Sequence, residues 1–332
     1  MRIRLIQLDG KLPNIALMKL ASHHRGRGDH VELLRAKGPS SLECGLWETP
    51  PDTVYASTIF ERTRPMAERL LQIYPDAIIG GTGWNLTTVL PEHIDSLQPD
   101  YSDYPKYKHS IGFTQRGCRL KCKFCVVPGK EGSVKTYQTI WSIYRGPGHP
   151  RHLVLLDNDF FGQEHWRKNI DDIREGSFKV NFNQGINARM ITEDVAEAVA
   201  SVDYRDAKMD RKCVYTAWDN KGDESRLFRG LQMLVDAGVK PSHIMVYMLV
   251  GYWSGETHHD REYRRRKIRD FGSDPYPMPF VRTRELIGFQ RWCVGAYDKH
   301  IPWSAWEGAR YRPERLGRRE QMTLPIEGEV VQ

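Results

Sequence analysis

Three cysteines fall within eight residues in the stretch Ser110-Ile-Gly-Phe-Thr-Gln-Arg-Gly-Cys118-Arg-Leu-Lys-Cys122-Lys-Phe-Cys125. Thiolates are the ligands of iron–sulfur clusters, and a C-x3-C-x2-C loop can wrap three corners of a cuboidal one. Three ligands for four irons leave one iron open, as an open position marks a catalytic rather than a structural metal site. Two other chemistries compete. Structural zinc needs a fourth ligand; Cys213 and Cys293 lack a C-x2-C partner, which leaves His109 or His152 as candidates. Cys122 and Cys125 alone could make a dithiol pair, but that leaves Cys118 unexplained and lacks the flanking aromatic and proline of a thioredoxin-like site.

Further polar groups close later strand-like stretches. In Leu153-Val-Leu-Leu-Asp157-Asn158-Asp159 three side chains can accept hydrogen bonds from an ammonium group, with a helix N-cap as the competing account of Asp157 or Asp159. A calcium loop is excluded, because Phe161 and Lys168 stand where oxygen ligands are required. Gln184-Gly-Ile-Asn187-Ala-Arg189 offers a guanidinium able to grip a carboxylate bidentately. Trp218-Asp219-Asn220 and Tyr247 to Val250 end two more stretches, where a core role competes with cavity lining.

The elements that position these groups follow from the periodicity. Residues 1–95 alternate strands (3–8, 31–35, 53–59, 77–79) with helices (15–24, 66–73), which predicts a small open α/β domain. Residues 96–106 have no period and read as a linker. From residue 107 to 281, strands are expected at 109–114, 152–156, 178–183, 213–217, 244–250 and 277–281, with helices at 164–173 and 224–237 among them. Such βα units imply a parallel sheet, closed or partly closed as a barrel, with ligands at the C-terminal strand ends. Residues 282–332 form an amphipathic helix and a Trp- and Arg-rich tail.

The pattern C-x3-C-x-Φ-C, with Phe124 at the aromatic place, resembles the signature of the radical S-adenosylmethionine (SAM) superfamily. The resemblance extends to the order and length of the βα units through about residue 281. It implies a partial (β/α)6 TIM-like barrel, a [4Fe–4S] cluster on Cys118, Cys122 and Cys125, and SAM cleaved to methionine and a 5′-deoxyadenosyl radical. It further implies a one-electron donor such as flavodoxin or ferredoxin. SAM contacts are expected from Asp157, Asn158 or Asp159 to the methionyl amine, from Arg189 to the carboxylate or ribose, and from Trp218 and Val250 around the cofactor. Asp-Asn-Asp-Phe stands where many members carry Gly-Gly-Glu, and is similar to the variant in members with an N-terminal cobalamin-type domain.

Residues 1–95 resemble that flavodoxin-like, cobalamin-binding-like domain in position and strand order. Gly10 and Gly80-Gly81-Thr82-Gly83 close strands where a backbone could approach a ligand or simply turn. The subgroup's Asp-x-His-x-x-Gly is absent, and His23-His24 reads as a solvated helix end. A second cluster of the methylthiotransferase kind is disfavoured, because this N-terminus has only Cys44.

Composition bounds the rest. The 332 residues carry 49 Lys and Arg against 42 Asp and Glu, a net charge of +7 that permits an anionic partner without requiring one. The basic stretch Arg261 to Arg269 with Tyr263, and the tail Trp303, Trp306, Arg310, Tyr311 and Arg312, read as a solvated face or a nucleic-acid contact. No apolar stretch is long enough for a membrane span and no signal core opens the chain, so cytoplasmic residence is expected. The rival to radical chemistry on an unknown substrate is a non-catalytic, metal-stabilised nucleic-acid-binding protein.

Overall fold

The computed structural model describes residues 1–43 and 49–306; Cys44 and the tail residues Arg310, Tyr311 and Arg312 lie outside the described residues. The chain is mixed α/β, built on parallel sheets.

Strands β1 (Arg2–Gln7), β2 (His30–Arg35), β3 (Thr53–Ser57) and β4 (Ile78–Gly80) form a parallel sheet in the order β2-β1-β3-β4. A parallel sheet needs cover on both faces, and the alternation in β1 supplies two apolar faces. Ile3 and Leu5 pack against Leu17 and Leu20 of helix α1 (Ile15–Gly26). Ile6 faces the other way, toward Ala67 and Leu70 of α2 (Arg64–Ile73). Helix α1 starts where it does because the Asn14 side chain accepts the Leu17 amide at 3.1 Å. A short helix, α3 (Glu92–Asp95), follows.

The remaining strands are β5 (Ser110–Gly112), β6 (Gln115–Arg116), β7 (Lys135–Thr136), β8 (His152–Leu155), β9 (Lys179–Phe182), β10 (Asp203–Tyr204), β11 (Val214–Ala217), β12 (Ile244–Val250) and β13 (Asp274–Pro279). They pair as a parallel sheet β10-β9-β8-β5, a parallel sheet β11-β12-β13, and an antiparallel hairpin β6-β7. The two parallel sheets meet where the Ile186 amide donates to Tyr215 O at 2.8 Å. Between strands run α4 (Val127–Lys130), α5 (Ile140–Ile143), α6 (Trp166–Glu175), α7 (Glu193–Ala200), α8 (Glu224–Asp236) and α9 (His258–Asp270), and α10 (Arg284–Val294) follows β13. One face of these sheets (Leu153, Leu155, Val180, Phe182, Val214, Val246) joins the helices in the largest core. In β13, Pro275, Pro277 and Pro279 alternate opposite Val246, Met248 and Val250. A strand with proline at every second place cannot donate a full ladder on its free side, so β13 ends the sheet.

The segment 96–106 is irregular but packed. Tyr104 is buried and donates to Gln7 Oε1 at 2.9 Å, while Arg25 pairs with Asp100 at 2.6 Å and Asp103 at 2.8 Å. Tyr101 and Tyr107, with Leu12 and Ile15, cover the sheet face formed by Ile111 and Val154.

Two expectations need correction. The basic stretch is a solvated face only in part: Arg266 and Lys267 are exposed, whereas Arg261, Arg264 and Arg265 are buried in α9. Arg264 donates to the carbonyls of Trp218 and Leu249, each at 2.9 Å, and pairs with Glu256. Arg265 and Arg269 share Asp298, and Tyr263 donates to Glu224. Burial on this scale follows from acids that neighbouring segments supply. Likewise His24 is buried, 2.8 Å from Asp29, and is not a solvated helix end. No helix of the described residues is long and apolar enough to cross a membrane.

Candidate metal centre

The cysteine loop leaves the C-terminal end of β5 and is bracketed by the β6-β7 hairpin. Gly117 takes φ +81°, and a Cβ there would lie 2.1 Å from Ser133 O, so only glycine lets the two arms of the loop close. Glu131 ties the base, pairing with Arg116 at 2.6 Å and accepting the Gly117 amide at 2.9 Å. The Cys118 amide then donates to Gly132 O at 3.2 Å and the Cys125 amide to Cys122 O at 3.1 Å.

Cys118, Cys122 and Cys125 are half-buried free thiols. The Leu120 amide points at Cys118 Sγ at 3.4 Å, and the Val127 amide at the sulfur of Cys125. Such N–H groups stabilise thiolate charge. Burial opposes them, pushing Cys118 up to about 11 and raising Cys122 and Cys125. Metal binding to thiols of this kind releases protons. The Arg189 guanidinium reaches Cys122, and is itself held by Asp223 at 2.6 Å and Asn187 at 3.1 Å. Among the described residues no three His, Cys, Asp or Glu side chains converge as ligands of one ion.

The end of β8 is built onto this loop. Asp157 Oδ1 accepts the amides of Thr114 and Gln115 at 2.9 and 2.6 Å and the Thr114 hydroxyl at 2.7 Å. Asn158 donates to Glu131 at 3.1 Å, and Asp159 pairs with Arg119 at 2.7 Å. Beside that last pair lies a cavity of about 280 Å³, lined also by Phe161, Asn187 and Met190. Desolvation in complete burial pushes Asp157 up to about 7. Its Oδ2, both amide atoms of Gln115, Gln163 Oε1 and Asn183 Oδ1 are buried without a hydrogen-bond partner. Buried polar atoms of this kind take an ordered water or a ligand as partner.

The other expected residues divide. Phe124 meets Tyr252 edge-on at 5.6 Å, and Tyr252 meets Phe280 at 4.8 Å, which ties the loop to the ends of β12 and β13. Trp218 and Val250 are fully buried in the core shared with the helices; the Trp218 indole donates to Asn220 O at 2.9 Å and meets Phe228 edge-on. Those side chains point away from the loop because alternate residues of a strand face opposite sides of the sheet. Asp219, one position on, lies near Cys122, Cys125 and Arg189, and burial pushes it up to about 6. Asp219 belongs to the Trp218-Asp219-Asn220 stretch expected to line a cavity, whereas no motif marks Gln115, Gln163 or Glu131; each is a polar residue in or just beyond a strand or loop end, which is the signal the sequence offers. His109 and His152 lie 3.1 Å apart at the opposite, N-terminal ends of β5 and β8, too remote to complete the cysteine set.

The strand ends of the N-terminal sheet are closed on themselves. Asp9 accepts from Thr58, Ile59 and Phe60 at 2.8 to 2.9 Å. A Cβ on Gly81 would lie 2.0 Å from Thr58 O, and one on Gly83 2.4 Å from Phe60 O. These glycines serve backbone-to-backbone packing. His23 and His24 sit at the far end of α1, beside Asp29 and the N-terminal amine. The residues present therefore do not fit a cobalamin site on this edge.

No family model matches the chain, and no curated protein matches it.

Proposed function

We propose that the chain is a radical SAM enzyme acting on a substrate whose identity is open. The observation that carries the proposal is the loop itself: three free thiols, supported by backbone amides and an arginine, at the C-terminal end of a parallel strand. The same reading takes β5, β8, β9, β11, β12 and β13 as a partial (β/α)6 TIM-like barrel, with the prolines of β13 accounting for its open side. It takes the order β2-β1-β3-β4 as a flavodoxin-like sheet lacking its fifth strand.

When bound, the [4Fe–4S] cluster would supply one electron to the sulfonium of SAM, giving methionine and the 5′-deoxyadenosyl radical that abstracts hydrogen from substrate. Cys118, Cys122 and Cys125 would hold it. Arg189 offsets negative charge beside Cys122. Asp157 fixes Thr114 and Gln115 and so aims the loop that follows. The unpartnered acceptors Asp157 Oδ2, Gln163 Oε1 and Gln115 Oε1 suit the three hydrogens of the methionyl ammonium. Phe124, Tyr252 and Phe280 keep water from the β12 side.

The test is anaerobic. Protein reconstituted with iron and sulfide, then given dithionite and SAM, is expected to yield 5′-deoxyadenosine. A fully loaded cluster without that product overturns the proposal; stoichiometric zinc with no iron favours the metal-stabilised binding protein.

A further inference from the structure

The cavity beside the Arg119–Asp159 pair has a lining that holding a cluster does not require. It encloses about 280 Å³, and none of Cys118, Cys122, Cys125, Gln115 or Gln163 lines it. It adjoins the candidate centre through Arg119, next in the chain to Cys118, and through Asn187, which holds the Arg189 that reaches Cys122. Its charges already have partners. Arg119 grips Asp159 through Nε at 2.7 Å and Nη2 at 3.0 Å, and Arg167 pairs with Asp194. An anion taking Arg119 would strand the Asp159 carboxylate, which is 4% exposed, and a cation taking Asp159 would displace a two-pronged guanidinium. A neutral group meets neither obstacle.

What the lining leaves open is one donor and an aromatic wall. Asn187 Oδ1 accepts from Arg189 Nε at 3.1 Å; an arginine can only donate, so the amide is fixed with its nitrogen turned from Arg189, and that Nδ2 is buried without a partner. Phe161 meets Trp166 edge-on at 5.4 Å, and with Met190 they make the apolar side. A neutral ring with apolar faces and a carbonyl on its edge suits this space, as a keto nucleobase does. At the rim the Arg167 guanidinium lies 4.3 Å from the Trp166 ring centroid; it is 66% exposed and its partner Asp194 46%. So exposed a pair is weak, which frees Arg167 for a phosphate carried by the base, and the net charge of +7 draws such a ligand in. We infer that this cavity is a nucleotide subsite, with a keto base against Phe161, Trp166 and Asn187 and its phosphate at Arg167. The inference rests on the proposed function only in making that nucleotide the substrate presented to the cluster.

The test is equilibrium dialysis of the full, reconstituted chain against GMP, guanosine, UMP and a hexauridylate, with SAM in excess so that a nucleotide held in its place is displaced. GMP should bind one per chain and guanosine about tenfold more weakly. Asn187→Asp keeps the acceptor for Arg189 and removes the donor, and should weaken GMP and guanosine alike by about tenfold. Arg167→Gln should bring GMP down to guanosine's level and leave guanosine unchanged. Met190→Trp, at a position 44% exposed, should block both without loss of circular dichroism or iron. Hexauridylate binding tighter than UMP makes the ligand part of a strand; equal binding makes it a free nucleotide. No binding of GMP or UMP overturns the inference, as does binding that neither Asn187→Asp nor Arg167→Gln weakens, or a preference for N-acetyl-phenylalanine amide over every nucleotide. Nucleotide bound without 5′-deoxyadenosine formation strikes the proposed function and leaves the subsite; 5′-deoxyadenosine formed by a chain that binds no nucleotide does the reverse.

Discussion

Two sets of parallel strand ends in this molecule carry similar residues and treat them in opposite ways. The N-terminal sheet ends in Asp9 and a glycine-rich turn, and there every group meets another: the carboxylate takes three donors, and the glycines admit the carbonyls of Thr58 and Phe60. The second array also ends in aspartates and a required glycine, but leaves buried polar atoms on Gln115, Asp157, Gln163 and Asn183 unpartnered beside three free thiols. A glycine-rich strand end is therefore no marker of a site. Unsatisfied buried atoms also occur at Tyr215, Tyr247 and His258 and free thiols at Cys213 and Cys293, so what sets the second edge apart is the concentration of both in one place, where a further partner, water or ligand, recovers the cost of desolvation.

The sharpest way to break this contrast is at the thiols. Cys118→Ala, Cys122→Ala and Cys125→Ala should each abolish iron and sulfide incorporation, whereas Cys213→Ala should leave it intact, because Cys213 packs with Tyr215 and Tyr247 away from the loop. Iron and acid-labile sulfide analysis of the four variants decides it. Full cluster content in any of the three loop variants would remove that cysteine from the ligand set.

The closed edge is tested next. Gly81→Ala places a Cβ 2.0 Å from Thr58 O in a left-handed backbone, and should destabilise the protein by about 3 kcal/mol. Gly129→Ala, whose Cβ would rest in ordinary contact 3.7 Å from Leu86, should stay within about 0.5 kcal/mol of wild type. Urea midpoints read both. A Gly81→Ala protein as stable as wild type would mean that this edge has room to spare for a ligand.

Much of this arrangement was legible in the sequence. The alternating runs placed every strand of both arrays except the two-residue β10 to within a few residues, since parallel strands buried on both faces read as apolar stretches between turn residues. The loop was legible because three cysteines at those spacings have few other uses. Side-chain direction was harder to read: Trp218 and Val250 end strands as ligand-lining residues do, yet the pleat turns them toward α8 and α10. The partners of α9 were also hidden, since Glu256, Glu285 and Asp298 come from segments whose packing no local pattern reveals. Helix α7 and the β6-β7 hairpin escaped notice because both are short.

The finest test concerns Asp157, where the two treatments meet in one carboxyl: Oδ1 is fully engaged and Oδ2 has no partner. Burial raises its pKa from 3.8 to about 7, so between those values the folded protein keeps a proton that the unfolded chain has released. Stability must then decline as pH rises through that window, with a slope of at most about 1.4 kcal/mol per pH unit. Asp157→Asn mimics the protonated form and removes this dependence while keeping an acceptor for Thr114 and Gln115. Without added SAM, the variant should match wild type near pH 4 and exceed it at pH 8. Denaturation curves at both pH values check the sign. A variant less stable than wild type at pH 8 would mean that the folded protein favours the ionised carboxyl, and that Oδ2 has found a donor already.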